Sequence, residues 1–384
     1  MSGPDLFSQP RRLGRGAALT LVFASVLVAG AATGSLPQGD EGTGAARSVV
    51  PDGRRQVAQA AAEAMAQGTS PLEAAERAVS RSGDRWAAVY SEGEYEEFAQ
   101  ALDGEYTGVG LWARRESDGR IAVSKVRGDS PAAAAGIRAG DRLRSVDGRA
   151  VDGLPVTDVL SLLRGDATDA RAGTAVRVGL ERGTRAWAET LRRATLSTQP
   201  VTAEKIRGGG TLVRVAAFTK GVGEAVRAAA REASGGVVLD LRGNSGGLVT
   251  EAVAVASVFL DGGLVATYDM DGAQRALHAD AGGDTTRPLV VLVDGGTMSA
   301  AELLTGALQD RGRAVVVGTR TFGKGSVQMP TRLPDGSVAE LTVGHYRTPS
   351  GHAVDGVGIV PDLEVADGVL GRAERVLSGL GRMP

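Results

Sequence analysis

The sequence contains no cysteine, only three histidines and only four lysines among its 384 residues. The absence of cysteine excludes disulfide bonds, thiolate metal sites and a cysteine nucleophile. The histidines, His278, His345 and His352, are scattered along the chain and do not suggest a metal cluster. Arginine supplies 39 of the 43 basic residues. Each lysine therefore has diagnostic weight, because lysine can lose its proton in a protein and arginine cannot.

The charge of the chain is nearly balanced, with 43 basic and 45 acidic residues and a formal net charge of −2. Such a balance argues against a protein that binds nucleic acid or a membrane surface through a basic patch. Hydrophobic residues make up 42% of the chain, which is typical of a globular protein. The length predicts two or three domains.

The first 34 residues have the features of an export signal. Arg11, Arg12 and Arg15 precede an uncharged apolar run over residues 16–34, and small residues around Ala29 offer a cleavage site. The same run is near the lower length limit for spanning a bilayer. Residues 1–34 are therefore either a cleaved signal peptide or a signal anchor. Both alternatives place the body of the protein outside the cytoplasm, secreted or tethered to the membrane through residues 16–34.

Composition divides the rest of the chain into segments. Residues 35–49 are polar and glycine-rich, as a linker is, and residues 50–103 are alanine-rich with a helical pattern. Residues 104–198 contain short β-rich runs around two short helical stretches. Over residues 199–365, continuous apolar runs alternate with helical stretches, which predicts an α/β core with a largely parallel sheet. Residues 366–384 are predicted to form a short terminal helix and tail.

Three glycine-rich turns follow predicted strands of the α/β core. The first, residues 240–247, precedes a helix, so its backbone N–H groups could bind an anion or an oxyanion. A tight connection that needs positive φ explains its glycines equally well. The second turn places Ser299 before a helix, where it could act as a nucleophile. Ser299 and Glu302 also form a capping-box pattern, which is the stronger explanation for this segment taken alone.

The third turn, residues 318–326, nearly matches a phosphate-binding loop. Gly325 stands where that motif needs a hydroxyl side chain, and the chain continues as an extended segment with Pro330, so we exclude nucleotide binding. What remains is Lys324 between two glycines. A buried lysine can become neutral and act as a general base, which arginine cannot do. The alternative is an ordinary surface lysine.

Several segments resemble those of the carboxyl-terminal processing (tail-specific) serine proteases, which use a Ser-Lys dyad. The resemblance covers about residues 50–365 in the expected order. VLVDGGTMSAAELLTGALQD is similar to the nucleophile segment, GTRTFGKGSVQ to the lysine segment, and LDLRGNSGG to the turn of the oxyanion hole. YRTPSGHAVDGVGIVPDLEV resembles the segment that closes the core, and DSPAAAAGIRAGDRLRSVDGRAV is similar to bacterial PDZ domains.

The resemblance implies a role for individual residues. Ser299 would be the nucleophile, Lys324 the general base, and Gln328 the residue that hydrogen-bonds the lysine. The oxyanion hole would use the backbone N–H groups of Ala300 and Gly246, with Gly247 as the alternative to Gly246. Two residues depart from the family pattern in this region, because Met298 replaces a small residue and Ser245 replaces a proline or glycine.

The resemblance also implies a fold and a binding site. It implies a ClpP/crotonase-like α/β protease core over residues 199–365, an inserted PDZ domain over residues 104–198 and an N-terminal helical segment. The carboxylate-binding loop of the PDZ domain would consist of Gly108, Val109, Gly110 and Leu111. Its N–H groups would bind the C-terminus of a protein substrate, which adds to the sheet as a strand.

The function implied is that of an exported serine endopeptidase that binds protein C-termini and cleaves them without a metal or organic cofactor. A non-catalytic PDZ adaptor or pseudoprotease is the alternative, and the departures at Met298 and Ser245 keep it open. A third possibility, an acyl-CoA enzyme on the same core, is disfavoured by the export signal and the PDZ domain. The sequence indicates neither the natural substrate nor the oligomeric state.

Overall fold

The computed structural model describes residues 52–165, 171–270 and 273–381. The predicted signal or anchor segment, residues 1–34, and the predicted linker, residues 35–49, lie outside the described residues. Within the described ranges, every helix is too short or too polar to cross a bilayer.

The described residues begin with helices, continue with a β-rich segment, and end with a segment in which strands and helices alternate. The helices are α1 (Asp52–Ala66), α2 (Pro71–Ser82), α3 (Glu92–Leu102), α4 (Pro131–Ala134), α5 (Val156–Arg164), α6 (Val222–Glu232), α7 (Val249–Phe259), α8 (Ala300–Asp310) and α9 (Val369–Leu380). The first strands are β1 (Ala88–Tyr90), β2 (Glu105–Gly108), β3 (Leu111–Arg115), β4 (Ile121–Val126), β5 (Arg142–Val146), β6 (Arg149–Ala150), β7 (Ala175–Arg182), β8 (Arg185–Arg192) and β9 (Ala194–Ser197). The later strands are β10 (Val201–Lys205), β11 (Thr211–Val215), β12 (Val237–Asp240), β13 (Leu264–Met270), β14 (Ala273–His278), β15 (Leu289–Val293), β16 (Val315–Gly318), β17 (Ser326–Arg332), β18 (Val338–Arg347) and β19 (Leu363–Glu364).

The chain forms two compact units, which we describe separately. The smaller unit comprises residues 106–196, and the larger unit comprises the described residues before and after that range. The larger unit carries all three glycine-rich turns singled out in the sequence.

A mostly parallel sheet forms the centre of the larger unit. Its strand order is β10-β11-β12-β15-β16-β19, and only β10 runs antiparallel to its neighbour. Val291 of β15 packs in the core that α6, α7 and α8 share, whereas Val290 and Leu292 pack with Leu377 of α9 on the other face. Both faces of the strand are thus covered, which explains its continuous apolar run. The predicted α/β class with a largely parallel sheet is confirmed.

A second, antiparallel sheet of the larger unit was not predicted from the sequence. Its order is β1-β18-β13-β14, with β17 also paired to β18. Strand β1 lies in the alanine-rich segment predicted to be helical, and it pairs with β18 so that Ala88 lies opposite Glu340. A strand of three residues is too short to show an alternating pattern, and only its partner strand stabilises it. Strand β18 lies between β1 and β17. Trp86, just before β1, contacts Gln328 of β17 and Phe322 of the loop that precedes β17.

The smaller unit is built on an antiparallel sheet of order β3-β4-β5-β7-β8, with β6 paired to β5. Ile121, Leu143, Val159, Val178 and Leu180 are completely buried in its core. Strand β3 is an edge strand of this sheet, and helix α5 packs beside it.

Candidate active site

Ser299 lies between the end of β15 and the start of α8, at the carboxyl edge of the parallel sheet. Its side chain is completely buried, and its backbone has φ 60° and ψ −119°. A residue other than glycine rarely adopts a positive φ, and such strained positions persist only where the surroundings hold them. Such a position requires many contacts around the turn, and the structure contains them.

The turn before Ser299 is hydrogen-bonded to the glycine-rich turn after β12. The Asp294 carboxylate accepts a hydrogen bond from the Gly243 N–H at 2.9 Å, and the Met298 N–H donates to the Asn244 carbonyl at 2.8 Å. Asn244 in turn donates from its side chain to the Val215 carbonyl at 2.9 Å. Two of the three turns singled out in the sequence thus form one structure.

Gly246 packs directly against the serine turn. A Cβ atom at position 246 would lie 2.9 Å from Ser299 Cβ and 3.2 Å from the Ala300 nitrogen, and Gly246 has a φ of +101°. Its N–H, which the resemblance assigns to the oxyanion hole, donates to Asn244 Oδ1 at 2.9 Å. The Gly246 N–H can bind an oxyanion only if its hydrogen bond to Asn244 breaks. The resemblance gives the Gly247 N–H as the alternative donor.

Glu302 ties the serine turn to the lysine loop. Its buried carboxylate accepts hydrogen bonds from the Ser299 N–H at 2.9 Å, the Thr321 hydroxyl at 2.5 Å, the Gly323 N–H at 2.7 Å and the Lys324 N–H at 2.9 Å. Burial raises the pKa of Glu302, and these hydrogen bonds oppose the rise. The sequence pattern revealed only the capping role at Ser299, and the three partners in the lysine loop depend on the tertiary fold.

Tyr346 of β18 makes a second bridge between the same two segments. Its buried hydroxyl donates to the carbonyls of Ser299, at 2.8 Å, and of Lys324, at 3.1 Å. Burial keeps the pKa of Tyr346 well above its ordinary value, so the hydroxyl remains a donor. The backbones of Ser299 and Lys324 therefore share two partners, Glu302 and Tyr346. The sequence analysis did not single out Tyr346.

Lys324 is 1% exposed, so it is not the surface lysine of the alternative interpretation. Its Nζ donates to Gln328 Oε1 at 2.9 Å, and Gln328 Nε2 donates to the carbonyl of Trp86. The Trp86 ring centroid lies 5.1 Å from Nζ, within the range of a cation–π interaction. Lys324 and Gln328 thus lie together as predicted from the resemblance, whereas no sequence signal pointed to Trp86.

The environment of Lys324 favours its neutral form. Burial lowers the pKa of Lys324 to about 8, against the opposing negative charges of Glu340, Asp84 and Asp355. An ordinary lysine has a pKa of about 10.4. A substantial neutral fraction at moderately alkaline pH is what a general base requires.

The loop Gly108–Leu111 of the smaller unit joins β2 to β3. Gly110 has a φ of +75°, and a Cβ there would lie 2.1 Å from Ser130 Cβ. The carbonyls of Val109 and Gly110 accept hydrogen bonds from the backbone N–H groups of Ala132, at 3.0 Å, and Arg127, at 2.9 Å. These contacts fix the loop at one end of the edge strand β3.

Acidic and histidine side chains do not gather into a metal site in the part of the chain that the structure describes: none forms a group of three or more that could hold an ion. His345 lies 3.9 Å from Asp355, and His352 lies 3.9 Å from Asp310. Both histidines are exposed, so each has a carboxylate neighbour on the surface.

Comparisons with known proteins match both units. The profile of Peptidase family S41 matches residues 211–365, and the profile of the PDZ domain matches residues 123–172. Carboxyl-terminal-processing peptidase 3, chloroplastic, of Arabidopsis thaliana is 35% identical over 76% of this chain and 60% of its own length. The carboxyl-terminal-processing protease of Synechocystis sp. is 34% identical over 73% of this chain and 67% of its own length.

A solved structure agrees with these sequence similarities. The structure titled photosystem II D1 C-terminal processing protease aligns with a TM-score of 0.51 and 29% identity, over 86% of this chain and 98% of that one. The similarity thus extends over both sequence and fold, although this chain spans only about 60% of the length of the Arabidopsis relative.

Proposed function

Because the chain belongs to peptidase family S41, with carboxyl-terminal-processing proteases among its relatives, we propose that it is a serine endopeptidase that cleaves proteins with Ser299 and Lys324. The observation that carries the proposal is the buried lysine, whose pKa is lowered to about 8. Glu302 and Tyr346 bind the backbones of both proposed reacting residues.

In the proposed reaction, neutral Lys324 accepts the proton of the Ser299 hydroxyl while the hydroxyl oxygen attacks the scissile carbonyl carbon. The negative charge that develops on the carbonyl oxygen is stabilised by the Ala300 N–H and by a second N–H from Gly246 or Gly247. Such donors typically contribute about 3 kcal/mol each. Lys324 then protonates the leaving amine, and a water molecule deprotonated by Lys324 hydrolyses the acyl-enzyme. Gln328 orients Nζ throughout.

The smaller unit would bind the substrate. In the proposal, the backbone N–H groups of Gly108–Leu111 bind the terminal carboxylate, and the peptide pairs with β3 as an added strand. The position of β3 at the sheet edge, with α5 beside it, supports this assignment. An apolar terminal side chain would be favoured by a pocket next to the strand.

The proposed location is outside the cytoplasm. This part of the proposal depends on the basic and apolar pattern of residues 1–34. The same segment would either be removed after export or tether the enzyme to a membrane.

A non-catalytic adaptor that binds C-termini is the second candidate function. One observation favours it: the Gly246 N–H is bonded to Asn244 rather than available to an oxyanion. Ser245 and Met298, which depart from the family pattern, lie in the same region. The adaptor and the protease differ in one measurable property, which is cleavage of the bound protein.

The test compares the wild-type protein with Ser299→Ala and Lys324→Arg on an unstructured protein that ends in apolar residues, with products identified by mass spectrometry. Alanine removes the nucleophilic hydroxyl, and arginine keeps the positive charge but cannot act as a base. We therefore expect each variant to lose activity by about a thousandfold or more. Lys205→Arg, on β10, is the matched control and should cleave like wild type, since Lys205 bonds only Thr211 and Ser234 among the described contacts.

Each outcome distinguishes the candidates. Cleavage by wild type and by Lys205→Arg alone supports the Ser-Lys protease. Binding of the substrate tail without any cleavage supports the adaptor. Cleavage that survives both site substitutions contradicts the assignment of Ser299 and Lys324.

A further inference from the structure

Glu340 of β18 is a buried carboxylate to which the proposed reaction assigns no role. Its side chain is completely inaccessible to solvent, and within the described residues neither Oε1 nor Oε2 has a hydrogen-bond partner. Buried polar groups are almost always hydrogen-bonded, because an unpartnered buried charge is costly. Structural stability therefore does not explain why a carboxylate occupies this buried position.

The strand register places Glu340 beside the support of Lys324. Glu340 lies opposite Pro330 of β17, and Thr342 lies opposite Gln328 of the same strand. Residues directly opposite each other, and residues two apart on one strand, have side chains on the same face of a sheet. Glu340 therefore shares a face with Gln328, which bonds the Lys324 ammonium.

The charges of Glu340 and Lys324 act on each other. Burial raises the pKa of Glu340 to about 7, against the opposing positive charge of Lys324. In the reverse direction, Glu340 is the largest of the charges that raise the pKa of Lys324 against the effect of burial. The charge of Glu340 also acts on Tyr90 and Tyr95, where it adds to the rise that burial causes in the pKa of each phenol.

Two other carboxylates act on Lys324 less strongly than Glu340. Asp84 is bonded to the N–H and hydroxyl of Thr342 at 2.8 Å each. Asp355 accepts from the Gly325 N–H, and its side chain is 29% exposed, so water screens its charge. Glu302 contacts the backbone of Lys324 and already has four donors. Glu340 alone among these carboxylates combines complete burial with unpartnered oxygens.

We propose that Glu340 is a positioning residue that acts through Lys324: its buried carboxylate favours the protonated lysine and so sets the pH above which the dyad becomes active. The proposal rests on the proposed Ser-Lys function. As the pH rises, Glu340 becomes charged over the same range in which Lys324 loses its proton. The two groups thus titrate as a coupled pair, which spreads the rise in activity over a wider pH range than one proton would give.

The test measures kcat/KM between about pH 5.5 and about pH 9.5 for wild type and Glu340→Gln. Glutamine keeps the size of the side chain and removes its charge. We expect the acid limb of the variant to move to lower pH by about one unit and to follow a single-proton curve. Glu364→Gln is the matched control, because it removes the charge of an exposed glutamate on β19 of the other sheet, and its profile should coincide with that of wild type.

A second measurement requires no activity. With only four lysines in the chain, the side-chain NMR signals of isotope-labelled lysine can be followed through a pH titration, and Lys324→Arg identifies the Lys324 signal. We expect the midpoint of Lys324 to fall in Glu340→Gln and, equally, in Glu340→Met, which serves as a second uncharged variant if glutamine impairs folding.

The outcomes separate this inference from the proposed function. If wild type cleaves but the Lys324 midpoint and the acid limb are unchanged in the folded Glu340 variants, the role of Glu340 is disproved while the protease proposal stands. If wild type does not cleave at all, the protease proposal fails, and the NMR titration still decides whether Glu340 controls Lys324. A shift to higher pH would contradict the inference in either case.

Discussion

At the scale of single residues, the state of Lys324 depends on side chains that are remote in sequence. Trp86 lies over Nζ, and its carbonyl bonds Gln328, a residue 242 positions away along the chain. The indole covers the lysine with apolar surface, and removal of such surface admits water. Trp86 is therefore expected to contribute to the burial that lowers the pKa of Lys324.

Trp86→Ala should move the acid limb of activity to higher pH, the opposite direction from Glu340→Gln. Water that reaches Lys324 lets its pKa rise from about 8 towards the ordinary value. Loss of the cation–π interaction acts the other way and is worth about 2 kcal/mol for a desolvated cation, compared with about 3 kcal/mol for the whole pKa shift caused by burial, so we expect a small net rise in pKa. The pH dependence of kcat/KM measures the net effect.

Trp187→Ala is the control for loss of an indole. Trp187 stacks on Arg182 and Arg185 in the smaller unit, so its removal should leave the pH profile unchanged. An acid limb of Trp86→Ala that coincides with that of wild type, in a folded variant, would show that the indole does not control the hydration of Lys324.

The chemically distinctive residues of the candidate site could be predicted from the sequence, whereas the residues that hold them in place could not. Lys324 stood out as a lysine between two glycines in an arginine-rich chain, and Ser299 as a hydroxyl at a strand–helix turn. Glu302 was visible only as a helix cap, because three of its four partners lie 19 to 22 residues away. Trp86 and Glu340 have no local pattern at all, since strand pairing creates their positions.

At the scale of elements, the alternation of continuous apolar runs with helical stretches predicted the buried strands β12, β15 and β16 together with the helices α6, α7 and α8 that precede them. The antiparallel sheet of β1, β13, β14, β17 and β18 was not predicted from the sequence. Its strand β1 has only three residues in an alanine-rich context, so tertiary pairing outweighs local propensity there. This sheet nevertheless carries Gln328, Glu340 and Tyr346, and with them most of the environment of Lys324.

The glycine turn after β12 offers a matched pair of substitutions. Gly246→Ala places a Cβ 2.9 Å from Ser299 Cβ, so the serine turn must shift, and we expect kcat to fall by about a hundredfold or more. Gly243→Ala is the control, because Gly243 also has a positive φ but no atom lies within 4 Å of the added Cβ. It should cost about 1 kcal/mol of stability and leave kcat nearly unchanged.

Steady-state kinetics and thermal unfolding of the two variants separate strain from a direct effect on the site. A fall in kcat that is equal in both variants would show that the turn acts only through backbone strain, and the proposed contact between Gly246 and the serine turn would have no catalytic importance.

At the scale of the whole molecule, two compact units divide the proposed tasks. The larger unit contains Ser299, Lys324 and all of their partners described above, and the smaller unit contains the loop Gly108–Leu111 and the edge strand β3. Such a division predicts that binding of a substrate tail can be weakened without any change in the reacting groups.

Gly110→Ala should weaken binding of peptides with a free C-terminal carboxylate by about tenfold. The added Cβ would lie 2.1 Å from Ser130 Cβ at a position with positive φ, so the loop must move. Gly119→Ala is the control, since Gly119 has a similar φ of +83° and open space around an added Cβ. Fluorescence anisotropy with a labelled peptide measures the affinity, in a Ser299→Ala background that prevents cleavage.

Amidation of the peptide C-terminus completes the experiment as a double-mutant cycle. Amidation should weaken binding to the Gly119→Ala control by about as much as the Gly110→Ala substitution weakens binding of the peptide with a free carboxylate. Amidation should weaken binding to Gly110→Ala only slightly further, because both changes remove the same contact. Losses that add in full would mean that the carboxylate binds elsewhere, and the loop would then have no part in recognising substrate ends. Non-additive losses would assign recognition to the smaller unit, independently of whether the larger unit cleaves.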